Sequence, residues 1–471
     1  MIYFMKEYII QCLRHSHFRE KQVAKADLTK SPQFSQWLTN IGTFVCLSML
    51  VACAAPQALT GTPTLYLKKE YPADAIPETL QTTDPKLFFI TDRFLSDTWT
   101  DEAPYSSDRS PSMAFGEVIV SFGSKISWPK LVEYSTTKDR GKQIKLQITD
   151  ADELIRFPST PLLFTQDDDQ VEALKNPPYR VYKRREMELK NKLSSLLKQA
   201  NRKEVVLYVH GINNEFSDAA YTMADLWHFS GRIGVPIFFT WPSGSGGPLG
   251  YLKDRESGEY SIYHLKETLR LISETPGLEK LHIIAHSRGT DVVTTAMREL
   301  IIEQRGRNLL ANRKYKIENL ILAAPDLDFG VMRQRLIAEN FGQAFGNINI
   351  YVNRKDGALK FAQRIASGQR TGQLSVTDLE NIDREIYARV GNVHFIDVEN
   401  ADRSSNHSYF RQNPNVLSDI ALTLQTGTAP GGTNRPLLPI SGNFWKLSKF
   451  YPFDLPPKGF ETGKQSLRDR K

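Results

Sequence analysis

The stretch from Leu281 to Asp291, LHIIAHSRGTD, constrains this chain more than any other. An apolar run typical of a buried strand leads into Ala285-His286-Ser287-Arg288-Gly289, and a helical pattern follows. Small residues two before and two after Ser287 leave room for a sharp turn that holds a serine hydroxyl out at the end of a sheet. The pattern alone is common at average residue usage, so the surrounding sequence has to decide its meaning.

The chain after Glu204 alternates between strand and helix patterns, which indicates an α/β fold. The strand runs are apolar without alternation and the helical runs are amphipathic, so we expect a mostly parallel central sheet with helices on both faces. The predicted strands are Val205–Val209, Pro236–Thr240, Lys280–Ala285, Ile317–Ala323, Ile348–Val352 and Asn392–Asp397. The predicted helices are Asp218–Arg232, Ser261–Glu274, Thr290–Gln304 and Pro414–Gln425. Ligands of such a sheet bind at the carboxyl ends of its strands.

Earlier segments add antiparallel N-terminal strands to the same sheet. The strand-like runs are Lys86–Thr91, Gly116–Phe122 and Gln143–Thr149, each bounded by turn-rich sequence. A helix is predicted over Tyr182–Lys198, where leucines recur at helical spacing among charges. We therefore place one α/β domain at residues 85–430, between a tether and a Pro-rich, basic C-terminal extension at 431–471.

The charge balance argues against a nucleic-acid partner. The net charge is +7, but the first 52 residues hold six Lys and Arg against three Asp and Glu, and Lys458 to Lys471 hold five against two. The body between these ends is almost neutral and shows no evident basic stripe, so we expect no nucleic acid to bind.

The cysteines and histidines do not indicate a metal or another cofactor. Cys12, Cys46 and Cys53 all lie in the first 53 residues, so the body has no cysteine for a disulfide or a metal site. His282 and His286 have the His-x3-His spacing of a helical zinc site, but they bracket a strand-like run without a carboxylate. We expect neither a metal nor a cofactor.

The N-terminal segment has the order of a bacterial lipoprotein signal peptide. A basic region precedes the uncharged run Trp37 to Ala52, and Leu50-Val51-Ala52-Cys53 resembles a lipobox, in which the cysteine receives lipid. An uncleaved membrane helix or a buried core helix is the alternative, although sixteen residues are few for a span. We predict a signal peptide at 1–52, lipidation at Cys53, and a flexible tether at 53–84 that is rich in Pro, Thr and Ala. Ala54 after the cysteine favours an outer-membrane lipoprotein that faces the periplasm.

Several motifs together resemble the α/β-hydrolase superfamily, and specifically its bacterial esterase/lipase-like branch of unknown function. They are VVLYVHGINN at 205–214, Trp241-Pro242-Ser243, the AHSRG turn, Arg354 to Leu359, His407 to Phe410, and the stretch Tyr105 to Phe122. The resemblance runs from about Lys86 to Gln425. It implies a serine nucleophile, an acid and a histidine in that order along the chain.

That order selects the catalytic candidates. Ser287 would be the nucleophile, and only His394 and His407 follow it. His394 lies inside a predicted strand, which favours a buried structural role, whereas His407 follows a polar loop that can reach back across the strand ends. Asp356 in the turn after Ile348–Val352 is the favoured acid, and Asp326 and Asp328 after the preceding strand compete with it.

The oxyanion of an acyl transfer needs two hydrogen-bond donors. The resemblance implies the backbone N–H of Arg288, directly after the nucleophile, and a second N–H from the His210-Gly211-Ile212-Asn213 turn, where we choose Ile212. Arg288 departs from the apolar residue usual at this position, and its guanidinium could favour an anionic substrate group.

The sequence therefore predicts a serine hydrolase, with carboxylic ester hydrolysis as the expected reaction and a small-molecule or lipid-like ester as the substrate. The short interval between Ala323 and Ile348 leaves no room for a large lid. An acyltransferase on the same triad and a catalytically inactive envelope lipoprotein that acts as a binding module stay open as alternatives. The sequence does not determine the oligomeric state.

Overall fold

A computed structural model describes residues 58–123, 125–162, 176–247, 249–378, 390–398 and 407–453. These residues contain one eleven-stranded sheet in the order β10-β11-β9-β8-β7-β6-β4-β5-β1-β2-β3. The strands are β1 Lys86–Leu95, β2 Tyr105–Ser121, β3 Gln147–Arg156, β4 Glu204–Val209, β5 Val235–Thr240, β6 Lys280–His286, β7 Ile317–Ala323, β8 Asn347–Val352, β9 Val393–Asp397, β10 Leu438–Ser441 and β11 Phe444–Lys446.

The sheet is mostly parallel, as its apolar strands predict. From β11 to β1 every neighbouring pair runs parallel, while β2, β3 and β10 are antiparallel to their neighbours. The expected antiparallel N-terminal strands are therefore present with one correction: β1 pairs in parallel with β5 on its other side. The third predicted strand is also displaced, since β3 begins at Gln147 rather than Gln143.

Helices cover both faces of the sheet, and a separate buried apolar cluster lies on each side. Strands β4 and β5 are buried along their whole length, which is why they read as unbroken apolar runs. The α-helices are α1 Trp128–Thr136, α2 Pro177–Gln199, α3 Phe216–Phe229, α4 Gly250–Ser273, α5 Gly289–Gly306, α6 Ala311–Tyr315, α7 Phe329–Val331, α8 Gly357–Ala366, α9 Tyr409–Gln412 and α10 Pro414–Thr426. A π-helical turn at Met332–Ile337 continues α7.

The predicted flexible tether is wrong for residues 58–84, because this segment packs against the fold. Leu65, Tyr66 and Ile76 are buried. The Tyr66 hydroxyl donates to the carbonyl of Phe229 at 2.8 Å, and the Leu65 N–H donates to the Ser418 hydroxyl at 3.0 Å. The apolar side chains are irregularly spaced among prolines, so periodicity did not reveal them. Residues 53–57 lie outside the described part of the chain.

The domain boundary at 430 is also wrong, because the C-terminal extension completes the sheet. Strand β11 pairs in parallel with β9, and β10 forms the edge beyond it. Arg435 is fully buried and donates to both carboxylate oxygens of Asp419 on α10, at 2.8 and 2.7 Å. The basic residues from Lys458 onward lie outside the described residues.

Within the described residues, no helix has both the length and the apolar character that a membrane crossing requires. The predicted signal peptide at 1–52 and the predicted lipidation site Cys53 fall outside the described ranges.

Candidate active site

Ser287 sits in a strained turn between β6 and α5. Its φ of 52° lies in the left-handed region, which for a residue other than glycine costs about 1–3 kcal/mol. The Ser287 N–H donates to the carbonyl of Ala323 at 3.0 Å, which ties the turn to the end of β7. A Cβ on Gly289 would lie 2.3 Å from the His210 carbonyl oxygen, so only glycine fits two residues after the serine. These contacts place the hydroxyl at the carboxyl edge of the sheet.

His407 lies against this hydroxyl. Its Nε2 is 2.8 Å from the Ser287 Oγ, although the two residues are 120 positions apart. Residues 399–406, which include the polar loop expected to carry His407 back over the strand ends, lie outside the described ranges.

Asp356 holds the other nitrogen of the same imidazole. The His407 Nδ1 is 2.7 Å from the Asp356 Oδ2, and Asp356 is fully buried. Its second oxygen, Oδ1, accepts the N–H groups of Ala358 and Leu359 at 3.0 and 3.1 Å, so the carboxylate is also the N-cap of α8. Both carboxylate oxygens are thus fixed, and the structure brings Ser287, His407 and Asp356 into one hydrogen-bonded chain.

Burial and nearby charge act on the pKa of His407 in opposite directions. Burial favours the neutral imidazole, but the charge and hydrogen bond of Asp356, with a further contribution from the charge of Asp326, raise the pKa above its ordinary value. Asp356 therefore stabilises the imidazolium that forms when His407 takes up a proton.

The two competing acids occupy other positions. Asp328 caps α7 by accepting the Val331 N–H at 2.9 Å. Asp326 is buried beside the turn at Ser287, where its N–H donates to the Ser287 carbonyl at 3.2 Å. Its carboxylate accepts the Tyr251 hydroxyl at 3.0 Å and lies 3.4 Å from the Arg370 Nε, and it makes no hydrogen bond to the imidazole. Burial and the charge of Asp326 raise the pKa of Tyr251 to about 12, so the phenol remains a donor.

The loop after β4 lies directly against the nucleophile. A Cβ on Gly211 would come within 2.7 Å of the Ser287 Cβ, so glycine is required for this approach. Among the residues that the structure describes, the backbone N–H groups of Ile212 and Arg288 donate no hydrogen bond. Both of these sequence-predicted donors are thus unengaged near the serine.

Two buried charged residues that the sequence analysis missed brace this loop. Arg93, at the end of β1, donates to the carbonyls of Asn214 and Ser243 at 2.8 and 3.0 Å. Burial lowers its pKa to about 10, so it stays protonated at neutral pH. Asp254 on α4 accepts the Asn213 N–H at 2.7 Å and the Gly244 N–H at 3.2 Å through one oxygen. The loop conformation is therefore set by side chains from two distant elements.

His210 adds a neutral support beneath the loop. Its Nε2 accepts the Trp241 N–H at 3.1 Å, which makes Nδ1 the donor to the Gly211 carbonyl at 2.7 Å. Burial, and then the charge of Arg93, hold the pKa of His210 well below its ordinary value. The ring stacks on Trp241 with centroids 5.1 Å apart, so its orientation is fixed.

The guanidinium of Arg288 faces carboxylates. It is 2.8 Å from Asp291 and 3.5 Å from Glu259, and it is buried. Because Asp291 compensates the charge, the free cation expected beside the site is not present in this arrangement.

Three further histidines, His394, His282 and His286, contact other parts of the fold and not the Ser287 hydroxyl. His394 is buried in β9, as expected, and burial lowers its pKa to about 3. His282 contacts Glu204 at 3.0 Å. The Nε2 of His286 lies 3.2 Å from the His407 carbonyl oxygen, and its ring stacks on Phe410. Among the described residues, no three His, Cys, Asp or Glu side chains are grouped to hold a metal ion.

The sequence profile of a family described as alpha/beta hydrolases of unknown function, DUF900, matches residues 185–425. This match spans just over half of the 471 residues. The chain belongs to this family. The expected fold class, a mostly parallel sheet covered by helices, is that of an α/β hydrolase, and the sequence resemblance to the superfamily is confirmed.

One solved structure similar to this DUF900 chain is a hydrolase from Oleispira antarctica. The two chains share 13% identity with a TM-score of 0.20, and the match covers 49% of this chain and 85% of the other. None of the curated proteins matches this chain.

Proposed function

We propose that this protein is a serine hydrolase that cleaves carboxylic esters through an acyl-enzyme. The observation that carries the proposal is the continuous hydrogen-bonded chain from the Ser287 hydroxyl through His407 to Asp356, with heavy-atom distances of 2.8 and 2.7 Å. A serine hydroxyl is a weak nucleophile until an oriented base removes its proton, and this arrangement supplies both the base and its orienting group.

The proposed reaction follows from the positions of these groups. His407 Nε2 takes the proton from Ser287 Oγ as the oxygen attacks the ester carbonyl, and the same nitrogen returns that proton to the leaving alcohol. Asp356 accepts the hydrogen bond from Nδ1 and stabilises the imidazolium. The N–H groups of Ile212 and Arg288 stabilise the tetrahedral oxyanion, since neither has a partner in the described residues. Water then attacks the acyl-enzyme by the same route.

Exposed apolar side chains at the carboxyl edge of the sheet, the edge that carries Ser287, support an ester with an apolar acyl part. Phe94 and Leu95 at the end of β1 are 50% and 45% exposed, and Leu249 and Leu252 at the start of α4 are 62% and 47% exposed. The ends of β1 and β5 lie at the carboxyl edge of the sheet, and α4 follows the loop after β5. Isolated exposed leucines are ordinary, but a group at one rim is a feature of ligand-binding surfaces.

A fluorophosphonate probe tests the proposal, because it forms a covalent bond only with an activated serine. We expect the purified chain to be labelled and to hydrolyse p-nitrophenyl esters, and Ser287→Ala to lose both activities while keeping its melting temperature. If the chain is labelled but transfers the acyl group to an added acceptor faster than it hydrolyses the ester, the activity is acyl transfer instead. A folded chain that is neither labelled nor active would overturn the proposal and favour the alternative, a catalytically inactive binding module.

We also propose that the protein is a lipoprotein of the bacterial cell envelope, anchored through Cys53 and facing the periplasm from the outer membrane. The support is the order of basic region, apolar core and lipobox-like residues in the sequence. Metabolic labelling with palmitate should mark the parent chain and not Cys53→Ser. Equal labelling of the two chains would rule out this anchor.

A further inference from the structure

The turn that joins α5 to α6 exposes two neighbouring leucines. Leu309 is 55% exposed and Leu310 is 60% exposed, and Ile302 on the last turns of α5 is 44% exposed. They lie apart from the exposed apolar side chains at the carboxyl edge of the sheet, because α5 carries the chain away from that edge. Its 18 residues span roughly 27 Å at 1.5 Å per residue, so these leucines lie at the opposite, amino edge of the sheet.

The backbone holds these leucines in place. The Leu309 N–H donates to the Gln304 carbonyl at 2.9 Å, and the Asn308 N–H donates to the Arg305 carbonyl at 3.0 Å. Asn308 has a φ of 56°. This pair of bonds around a left-handed residue is the Schellman motif, which fixes the chain that leaves a helix. In that motif the residue after the left-handed one usually packs on an apolar side chain in the last turn of the helix. Here Leu309 follows the left-handed Asn308, but the helix residue it would pack on is the polar Gln304, and Leu309 stays exposed.

Basic residues flank the leucines on both sides. Residues 305–316, RGRNLLANRKYK, contain Arg305, Arg307, Arg313, Lys314 and Lys316 and no acidic residue. This local cluster is not apparent from the net charge of the whole chain. Arg305 and Arg307 are exposed. Arg307 lies 3.1 Å from Glu303, and Lys314 lies 2.6 Å from Glu274. Arg305 and Lys316 donate to the carbonyls of Asn340 and Leu278, at 3.3 and 3.0 Å, which leaves the charge of these two side chains without a carboxylate contact among the residues that the structure describes.

We propose that residues 302–316 form a docking surface for an anionic phospholipid bilayer, in which Leu309 and Leu310 insert among the acyl chains and the exposed Arg305 and Arg307 bind the lipid phosphates. Cations supply long-range attraction to an anionic surface, and the apolar side chains supply insertion. A nucleic acid would use the cations but gain nothing from two uncovered leucines, so the bilayer is the occupant that uses both features.

The position of the surface has a consequence for the orientation of the molecule. Because this surface and Ser287 lie at opposite edges of the sheet, a docked chain holds the nucleophile away from the bilayer. Its substrates then reach the site from the aqueous side. This inference does not rest on the proposed esterase activity.

The experiment measures binding of the full chain to vesicles of phosphatidylcholine alone and of phosphatidylcholine with phosphatidylglycerol. Sedimentation gives the partition coefficient, and hydrogen exchange shows which peptides are protected. We expect phosphatidylglycerol to protect residues 305–316, Leu309→Ser/Leu310→Ser to lower the phosphatidylglycerol-dependent partitioning at least tenfold, and Arg305→Gln/Arg307→Gln to lower it about tenfold.

Leu154→Ser is the matched control. Leu154 is 40% exposed on the edge strand β3 next to Asp152 and Glu153, so this change removes an apolar side chain from acidic surroundings. It should leave partitioning within twofold of the parent. Residues 1–53 are identical in every variant, so their own membrane binding does not alter the comparison.

Two results would overturn the proposal. One is the absence of phosphatidylglycerol-dependent protection over residues 305–316. The other is protection that persists unchanged in the leucine double variant, particularly if duplex DNA produces the same protection, because the segment would then bind polyanions by charge alone.

Discussion

At the scale of single residues, Asp356 performs two tasks with one carboxylate. One oxygen caps α8 and the other holds His407, so neither can rotate without breaking a hydrogen bond. Asp326 is also buried nearby, but its oxygens face Tyr251 and Arg370. The structure therefore separates two carboxylates that the sequence left in competition, and it does so by the partners each of them has.

Substitution of Asp356 by Asn should lower kcat on the order of 10³–10⁴-fold, because the imidazole loses the charge that stabilises its protonated form. Activity requires neutral His407, so kcat/KM falls as the pH drops through the pKa of this residue. Asp356 raises that pKa, so Asp356→Asn should move the acid limb to lower pH. The measurement is a pH profile of ester hydrolysis; a limb displaced to higher pH would contradict the assignment.

The two histidines after the nucleophile provide a matched pair of variants. His407→Gln should cost about 10³-fold or more in kcat/KM, since no other imidazole contacts Ser287 in the described residues. His394→Gln changes an equally buried ring in β9 and should cost less than tenfold. Steady-state kinetics with melting temperatures distinguish the two. A larger loss from the His394 variant would reassign the base.

At the scale of elements, the site depends on a loop that three parts of the chain hold together. The loop after β4 approaches the turn at Ser287 through Gly211. Arg93 from β1 and Asp254 from α4 fix the backbone of this loop. Both braces hold the loop through its backbone atoms, and Arg93 also donates to the Thr240 hydroxyl at 2.9 Å. A change in either brace should therefore act on the oxyanion donors without touching the triad.

Asp254→Asn should lower kcat about 10²-fold with little change in KM. One carboxylate oxygen accepts the N–H groups of Asn213 and Gly244 and the other accepts the Ser245 N–H at 3.3 Å, so an amide nitrogen faces a donor in either orientation and displaces the loop that carries Ile212. Asp108→Asn is the control. Asp108 lies on β2, is 69% exposed, and is 3.9 Å from Lys253, the neighbour of Asp254 on α4. It should retain parental kinetics. An Asp254 variant with unchanged kcat, or with a raised KM alone, would show that the loop does not need this brace.

The strands from β4 to β9 could be predicted from sequence to within about one residue, because each is a short apolar run between turns. Strands β10 and β11 were missed because they are four and three residues long, with little apolar pattern. Ser287, Asp356 and His407 could be selected from their order along the chain. Arg93 and Asp254 could not, since their partners in the loop are backbone atoms, 121 residues away in the case of Arg93 and Asn214.

At the scale of the whole molecule, both ends of the described chain belong to the folded body. Residues 58–84 pack against α3 and α10, and the C-terminal strands extend the sheet beyond β9. Composition suggested a tether and a tail because these segments are rich in Pro and Thr or in basic residues. Their burial depends on contacts with elements far away in sequence, which composition does not report.

A chain that ends at Pro430 should fail to fold, because it removes Arg435 and leaves Asp419 as a buried, uncompensated carboxylate. Removal of one partner of a buried ion pair costs about 3–5 kcal/mol, a large part of the 5–15 kcal/mol that stabilises a typical domain. A chain that ends at Phe453 keeps Arg435, β10 and β11 and should unfold cooperatively. Circular dichroism on heating compares them; equal melting temperatures would show that the extension is dispensable.

The insertion of β11 beside β9 also bears on the order in which the sheet next to the candidate site is assembled. Residues 444–446 occupy the place next to the strand that precedes His407. During synthesis this place beside β9 stays empty until residues 444–446, which begin 37 positions after His407, have left the ribosome. A chain that has not yet released this segment therefore presents an open edge at β9, and we expect its site to be completed only when the final strands dock.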